Sequence, residues 1–224
     1  MNINSRSNIV AMIQEPYRRE TLALLEAIDS GEANNQRRLA GRVGIAIGLL
    51  NALLRRAVQK GLVKVREAPA RRYAYYLTPH GFSEKSRLVS EYLTDSLHFF
   101  RRARAEYTDC LQHMAALLPP GGRLFLVGSG ELAEIAVLSA NETGIALAGL
   151  LDARTNRQHF CGLPVLRDSD DLTPHDFILL SDAEQPQVSF DHWAERLGRQ
   201  RIFAPPLLRI AQAMPVSESP EAEP

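Results

Sequence analysis

The sequence predicts an α/β chain in which a helical half carrying one β-hairpin precedes a half built on a small parallel sheet. Three observations predict it. The 224 residues are enough for two small domains. Charge divides between the halves: residues 1–118 hold 18 basic and 11 acidic side chains, a net +7, whereas residues 119–224 hold 8 and 15, a net −7. The apolar run Arg123–Val127 leads into Gly128-x-Gly130-x-x-Ala133, the pattern of a phosphate-cradling turn between a strand and a helix.

In chain order, Leu22, Leu24, Leu25 and Ile28 recur at helical spacing within Tyr17–Ser30, and Gly31 stops that helix. Asn34 and Asn35 are good N-caps for a second helix, Gln36–Val43, which Gly44 breaks. The third helix, Ile47–Lys60, turns Leu50, Leu53, Leu54, Ala57 and Val58 to one face and ends at Gly61. Leu62–Arg66 and Arg72–Leu77 alternate as two strands joined by the tip EAPAR. Helix, helix, glycine turn, helix and basic hairpin is the order of a winged helix-turn-helix. Ala40 sits where two helices cross and Gly44 lies in the turn.

Residues Gln36–Arg72 hold ten basic side chains and one acid, Glu67, where an ordinary solvated surface mixes signs. The excess favours a polyanion, and in this fold the third helix enters the major groove of double-stranded DNA. Asn51 and Arg55 share a helix face and are the candidates for base edges, Arg for guanine and Asn for adenine. Arg56 and Lys60 share that face or lean toward phosphates. Gln36, Arg37, Arg38, Arg71 and Arg72 complete the expected DNA-binding set, with the arginines on phosphates. A basic helix against an anionic membrane is disfavoured, because the apolar face of the third helix is needed for the core.

Two motifs, KGLVKV (residues 60–65) and YAYYLTPHGFSEKSRLVSEYL (Tyr73–Leu93), carry a family likeness. Residues 17–107 resemble MarR-type winged-helix regulators, in particular the branch associated with exopolysaccharide gene clusters. The resemblance implies a transcriptional regulator. One departure stands out: Ala46, Ile47 and Gly48 open the third helix where such proteins often carry Ser and other polar residues.

A long helix follows from Gly81 to about Leu118. Phe82, Val89, Ser96, Ala103, Cys110 and Leu117 recur every seven residues, and Leu93, Phe100, Tyr107 and Met114 form a second row. Such rows describe a coiled-coil-like seam, so the helix is expected to join a homodimer, with packing against the chain's own domains as the alternative. LPPGG, Leu118–Gly122, reads as a linker.

Beyond it, strand Arg123–Val127, helix Glu131–Glu142 and strand Gly144–Leu151 make a βαβ unit, with Asp152 placed 22 residues after Gly130. Phe177–Leu180 and Arg201–Phe203 read as further strands around a helix near Val188–Leu197. The expected ligand-binding residues are Gly128, Ser129, Gly130, Glu131 and Leu132 at the turn, Asp152 for a ribose hydroxyl, and Ser181 across the crevice. Glu131 opposes a pyrophosphate unless it points outward. With FCGLPVL, Phe160–Leu166, following the acid, residues 123–181 resemble the small Rossmann domains of sugar-nucleotide-associated proteins and of NADH-sensing redox repressors. The resemblance implies a nucleotide, sugar nucleotide or NAD(H) as effector.

An enzyme is disfavoured. No Lys or Tyr follows the glycine turn, and His159, His175 and His192 belong to no catalytic constellation. Cys110 and Cys161 lack metal-ligand spacing and suit a reducing cytoplasm. The expected organisation is thus a winged helix-turn-helix (1–80), a long dimerisation helix (81–118), a Rossmann-like ligand-sensing domain (119–214) and a disordered acidic tail (215–224). The expected function is a cytoplasmic, homodimeric, DNA-binding regulator with a nucleotide-type effector. The alternatives are an NAD(H)-sensing redox repressor and a DNA-anchored adaptor whose Rossmann-like domain is ligand-free.

Overall fold

A computed structural model describes residues 17–31, 35–68, 72–167 and 172–211. Arg71 and the expected disordered tail lie outside the described residues. The chain forms two compact units that divide at Ser96/Leu97. That division falls inside the long helix rather than at its ends, residues 80/81 and 118/119.

In the first unit, α1 covers residues 17–29, followed by α2 (Gln36–Val43), α3 (Ile47–Gln59), β1 (Val63–Ala68) and β2 (Arg72–Leu77). Asn35 caps α2 by accepting the Arg38 N–H at 2.8 Å. The α2–α3 turn closes at Gly44, whose N–H donates to the Ala40 carbonyl. β1 and β2 pair antiparallel, Val63 opposite Leu77 and Lys64 opposite Tyr76. The core joins Leu24, Leu25, Leu39, Leu50, Leu53, Leu54, Ala57 and Leu88. Val58, expected on the buried face of α3, is 41% exposed instead. It lies at the edge of that face, in a groove toward the hairpin.

The helix α4 (Pro79–Leu117) runs 39 residues and enters both units. LTPHG sets its start. Thr78 Oγ1 donates to the Gly61 carbonyl at 2.6 Å and accepts the Gly81 N–H at 2.9 Å. Pro79 then supplies the first helical residue, where a missing N–H costs nothing. A Cβ on Gly81 would lie 2.1 Å from the Leu62 carbonyl oxygen, so the backbones approach too closely for any side chain.

In the second unit, β3 (Leu124–Val127), α5 (Glu131–Thr143), β4 (Gly149–Leu151), β5 (His159–Phe160), β6 (Leu163–Leu166), β7 (Phe177–Leu180), α6 (Pro186–Leu197) and β8 (Ile202–Phe203) follow α4. The sheet order is β5-β6-β4-β3-β7-β8. β3 lies parallel to β4 and β7, β4 to β6, and β7 to β8. β5 is antiparallel to β6, so the sheet is mixed where a parallel one was expected. Cys161 and Gly162, both with positive φ (47° and 84°), make the two-residue turn between them. β4 is shorter than expected because Gly144 and Ile145 close α5, donating to carbonyls of its last turn.

The C-terminal part of α4 belongs to the core of this unit. Ala103, Tyr107, Leu111 and Met114 are fully buried there, and Tyr107 Oη donates to the Leu180 carbonyl at 3.1 Å. Ser139 Oγ donates to the Arg104 carbonyl. This corrects the extent of the expected seam: Ala103, Tyr107 and Met114 are consumed within one chain, and Phe100 and Cys110 pack partly buried against the same core. Farther up the same helix Tyr92, Leu93, Leu97 and Phe99 are each more than half exposed. No described helix is long and apolar enough to cross a membrane.

Candidate nucleic-acid interface and ligand cleft

Exposed cations of the first unit stand on α2, α3 and β1. Arg37 and Arg38 stand exposed in the first turn of α2. A helix N-terminus disfavours cations by about 0.3–1 kcal/mol and favours anions, so the two arginines do not stabilise the helix end themselves. Gln36, expected at DNA, is half-buried, and its Nε2 donates to Tyr75 Oη at 2.9 Å, tying α2 to the hairpin. Arg55 is exposed with its Nε folded back on the Asn51 carbonyl at 3.4 Å. Lys64 and Arg66, two residues apart on β1, are also exposed. They were part of the basic run but not of the expected site; the Val-Lys-Val-Arg alternation is the signal that marks them.

Arg56 and Lys60 do not share the Arg55 face. The Arg56 guanidinium lies 4.4 Å from the Tyr17 ring centroid and the Lys60 ammonium 6.0 Å from it. Both line a cavity of about 480 Å³ with Arg18, Glu84 and Arg87. Asn51 is half-buried, and its Oδ1 is shut away from solvent without a hydrogen-bond partner. The side chain lines a groove of about 450 Å³ with Val58, Val65, Tyr73 and Tyr75. For Arg72 only the backbone, in β2, is described.

In the second unit, the glycine turn is held largely by the chain itself. Gly128 has φ +93°, and a Cβ there would sit 3.0 Å from the backbone of Asp182, so the close approach that requires glycine is made by the loop after β7. Ser181 is 1% exposed, and its Oγ donates to the carbonyls of Val127 and Gly128 at 2.7 and 3.0 Å. It locks the turn and does not face the crevice as expected. Leu132 is likewise buried, so its side chain serves the core. Ser129 Oγ donates to Asp152 Oδ2 at 2.6 Å, and the Arg154 N–H donates to Asp152 Oδ1 at 2.9 Å. Both oxygens expected to meet a ribose therefore already have partners. Gly130 is the N-cap of α5, with open space around an added Cβ. Exposed Glu131 and Glu134 occupy the first turn and already complement the helix dipole.

A cleft of about 430 Å³ opens at the ends of β3, β4, β6 and β7, walled by α6. It includes Gly128 and Asp152 but not Ser129, Gly130 or Glu131. Its charged lining is Asp152, Arg154, Arg167, Asp182 and Arg196, with His192 and Trp193 from α6. Arg154 lies 3.6 Å from Asp152 and 3.2 Å from Asp182. Burial works against the charge of Asp182. Hydrogen bonds from Ser189 Oγ and the Gln185 and Glu184 N–H groups, with Arg154 alongside, outweigh it and hold the carboxyl below its ordinary range. Asp182, Arg154 and Arg196 were not expected here, although an acid directly after the apolar run Phe177–Leu180 marks a strand end as Asp152 does. Among the described residues no cluster of His, Cys, Asp and Glu could hold a metal ion.

No family model matches the chain, and no curated protein matches it. Among solved structures it is similar to the PcaV transcriptional regulator from Streptomyces coelicolor in complex with its natural ligand, at 19% identity over 42% of this chain and 77% of that one (TM-score 0.35). It is also similar to MepR, a transcription regulator of the Staphylococcus aureus multidrug efflux pump MepA, at 14% identity over 65% and 96% of the two chains (TM-score 0.33). A third similar structure is an N,N-8-amino-8-demethyl-D-riboflavin dimethyltransferase from Streptomyces davawensis, at 11% identity over 95% and 68% (TM-score 0.23).

Proposed function

We propose that the chain is a cytoplasmic DNA-binding transcriptional regulator of MarR type. In this reading residues up to about 80 form a winged helix-turn-helix, the exposed stretch of α4 joins two copies, and a Rossmann-like unit senses a small molecule. One observation carries it: Arg37, Arg38, Arg55, Lys64 and Arg66 stand exposed around a helix–turn–helix and its hairpin, and neither α2 nor α3 contains an acid. The sequence likeness to regulators of exopolysaccharide clusters makes surface-polysaccharide genes the proposed targets.

The effector is proposed to enter the α6-walled cleft. Nucleotides, sugar nucleotides and NAD(H) remain the candidate class, with Arg167 and Arg196 lining the cleft for an anionic group and Arg154 already paired with Asp152 and Asp182. The partnered Asp152 and the acidic start of α5 favour a second reading, an adaptor held on DNA whose C-terminal unit takes no ligand.

Fluorescence anisotropy with a labelled 30-base-pair duplex tests both. Binding should weaken with salt, with a log–log slope of about −0.9 per phosphate contact, and R37A and R38A should each make that slope about one unit less steep. A slope near zero overturns the DNA reading. NADH and a UDP-sugar are then added: a shift in affinity that R196A removes supports the effector, and unchanged affinity with unchanged thermal stability supports the adaptor.

A further inference from the structure

The exposed positions in the first half of α3 are apolar where a base-reading helix ordinarily carries its polar side chains. Ile47 is 49% and Leu49 43% exposed, and Ala46, Gly48 and Ala52 are exposed beside them. Ala46 provides no side-chain cap. Asn51 is half-buried, with its Oδ1 shut away from solvent, and Arg55 projects exposed from the middle of the helix. Large apolar side chains left in water forgo the free energy of burial, so these positions call for a partner.

The exposed cations of the same unit say which partner. Arg37, Arg38, Arg55, Lys64 and Arg66 are exposed, and α2 and α3 contribute no carboxylate. The partner must therefore present anions at its periphery and apolar groups between them. The major groove of duplex DNA does both, with phosphates along its edges and the C5-methyl of each thymine on its floor. Resting on the DNA-binding reading above, we propose that Ile47, Leu49 and Ala52 read thymine methyl groups. Arg55 reads an adjacent guanine, so each half-site is defined by methyl positions as much as by hydrogen bonds.

The test compares thymine with uracil, which lacks the methyl and keeps every hydrogen-bonding atom. The full-length protein selects duplexes from a random 30-base-pair library, and the preferred duplex is remade with uracil for thymine. Affinity should fall about fourfold per contacted methyl, and single replacements should map the loss to one or two positions per half-site. I47A should bind thymine and uracil duplexes alike at a contacted position while its salt slope stays unchanged. Thymine and uracil duplexes bound within twofold by the wild type overturn the proposal, as does undiminished discrimination by I47A. A change in solution mass of I47A also overturns it, because the patch would then join two copies. If random duplex binds but none is preferred, methyl reading falls and DNA binding stands; if no duplex binds at all, both fall.

Discussion

Gly81 and Gly48 show how one residue type carries opposite physical meanings. At Gly81 an added Cβ would collide with the Leu62 carbonyl oxygen at 2.1 Å, and the atom it meets is backbone that cannot swing aside. G81A should therefore force α4 away from the β1 entry, costing roughly 3 kcal/mol in urea unfolding, at the upper end for overpacked sites. Gly48 lies inside α3 and an added Cβ meets nothing within 4 Å. There glycine only loses helix propensity, so G48A should stabilise by about 0.5–1 kcal/mol. The same substitution puts a methyl on the surface proposed to face DNA, and duplex affinity should fall while stability rises. A rise in both would detach Gly48 from the interface.

The elements differ in how much of them one sequence discloses. α2 and α3 were legible because their caps and breakers are local: Asn35 bonds within its own first turn, and Gly44 ends one helix just before the next begins. α4 was legible in length but not in partner. Ala103, Tyr107 and Met114 repeat as a dimer seam does, yet the same spacing serves a helix lying on its own α/β unit. β5 has two residues, too few for an alternation to register. Side-chain partners were the least legible feature, since Arg56 meets Tyr17 and Asn51 faces the hairpin, contacts that the local pattern of α3 does not name. Ion pairs between elements were hidden for the same reason. Asp176, fully buried before β7, accepts from Arg123 Nη2 at 2.7 Å and from the Thr173 N–H at 2.7 Å. Burial opposes its charge, but these bonds prevail and hold its carboxyl below the ordinary range. A lowered folded pKa adds stability above the unfolded value of about 4 and loses it as pH falls through the folded one. D176N should cost about 2 kcal/mol at pH 7, and the gap from wild type should close on acidification below pH 4. A gap independent of pH would assign the loss to packing.

At the scale of the molecule, the distribution of apolar surface along α4 decides how two copies would meet. The buried members of its heptad rows, Ala103, Tyr107 and Met114, all follow residue 100, so a seam running the whole helix is unavailable. What remains is the stretch around residues 92–99, where Tyr92, Leu93, Leu97 and Phe99 are all more than half exposed. Large exposed apolar side chains of this kind mark interaction sites; Tyr92 and Leu93 belong to the first unit and Leu97 and Phe99 to the second. If the chain is the regulator proposed above and reads a palindrome, it needs a contact between copies, because two half-sites one helical turn apart must be held by fixed geometry. L97D places a charge in the patch without touching the core of either unit. Sedimentation should show the variant as a monomer where the wild type is a dimer, with an unchanged far-ultraviolet spectrum. Its affinity for a palindromic duplex should fall tenfold or more, while its affinity for a single half-site stays the same. An L97D dimer that keeps its palindrome affinity would move the contact off α4 altogether.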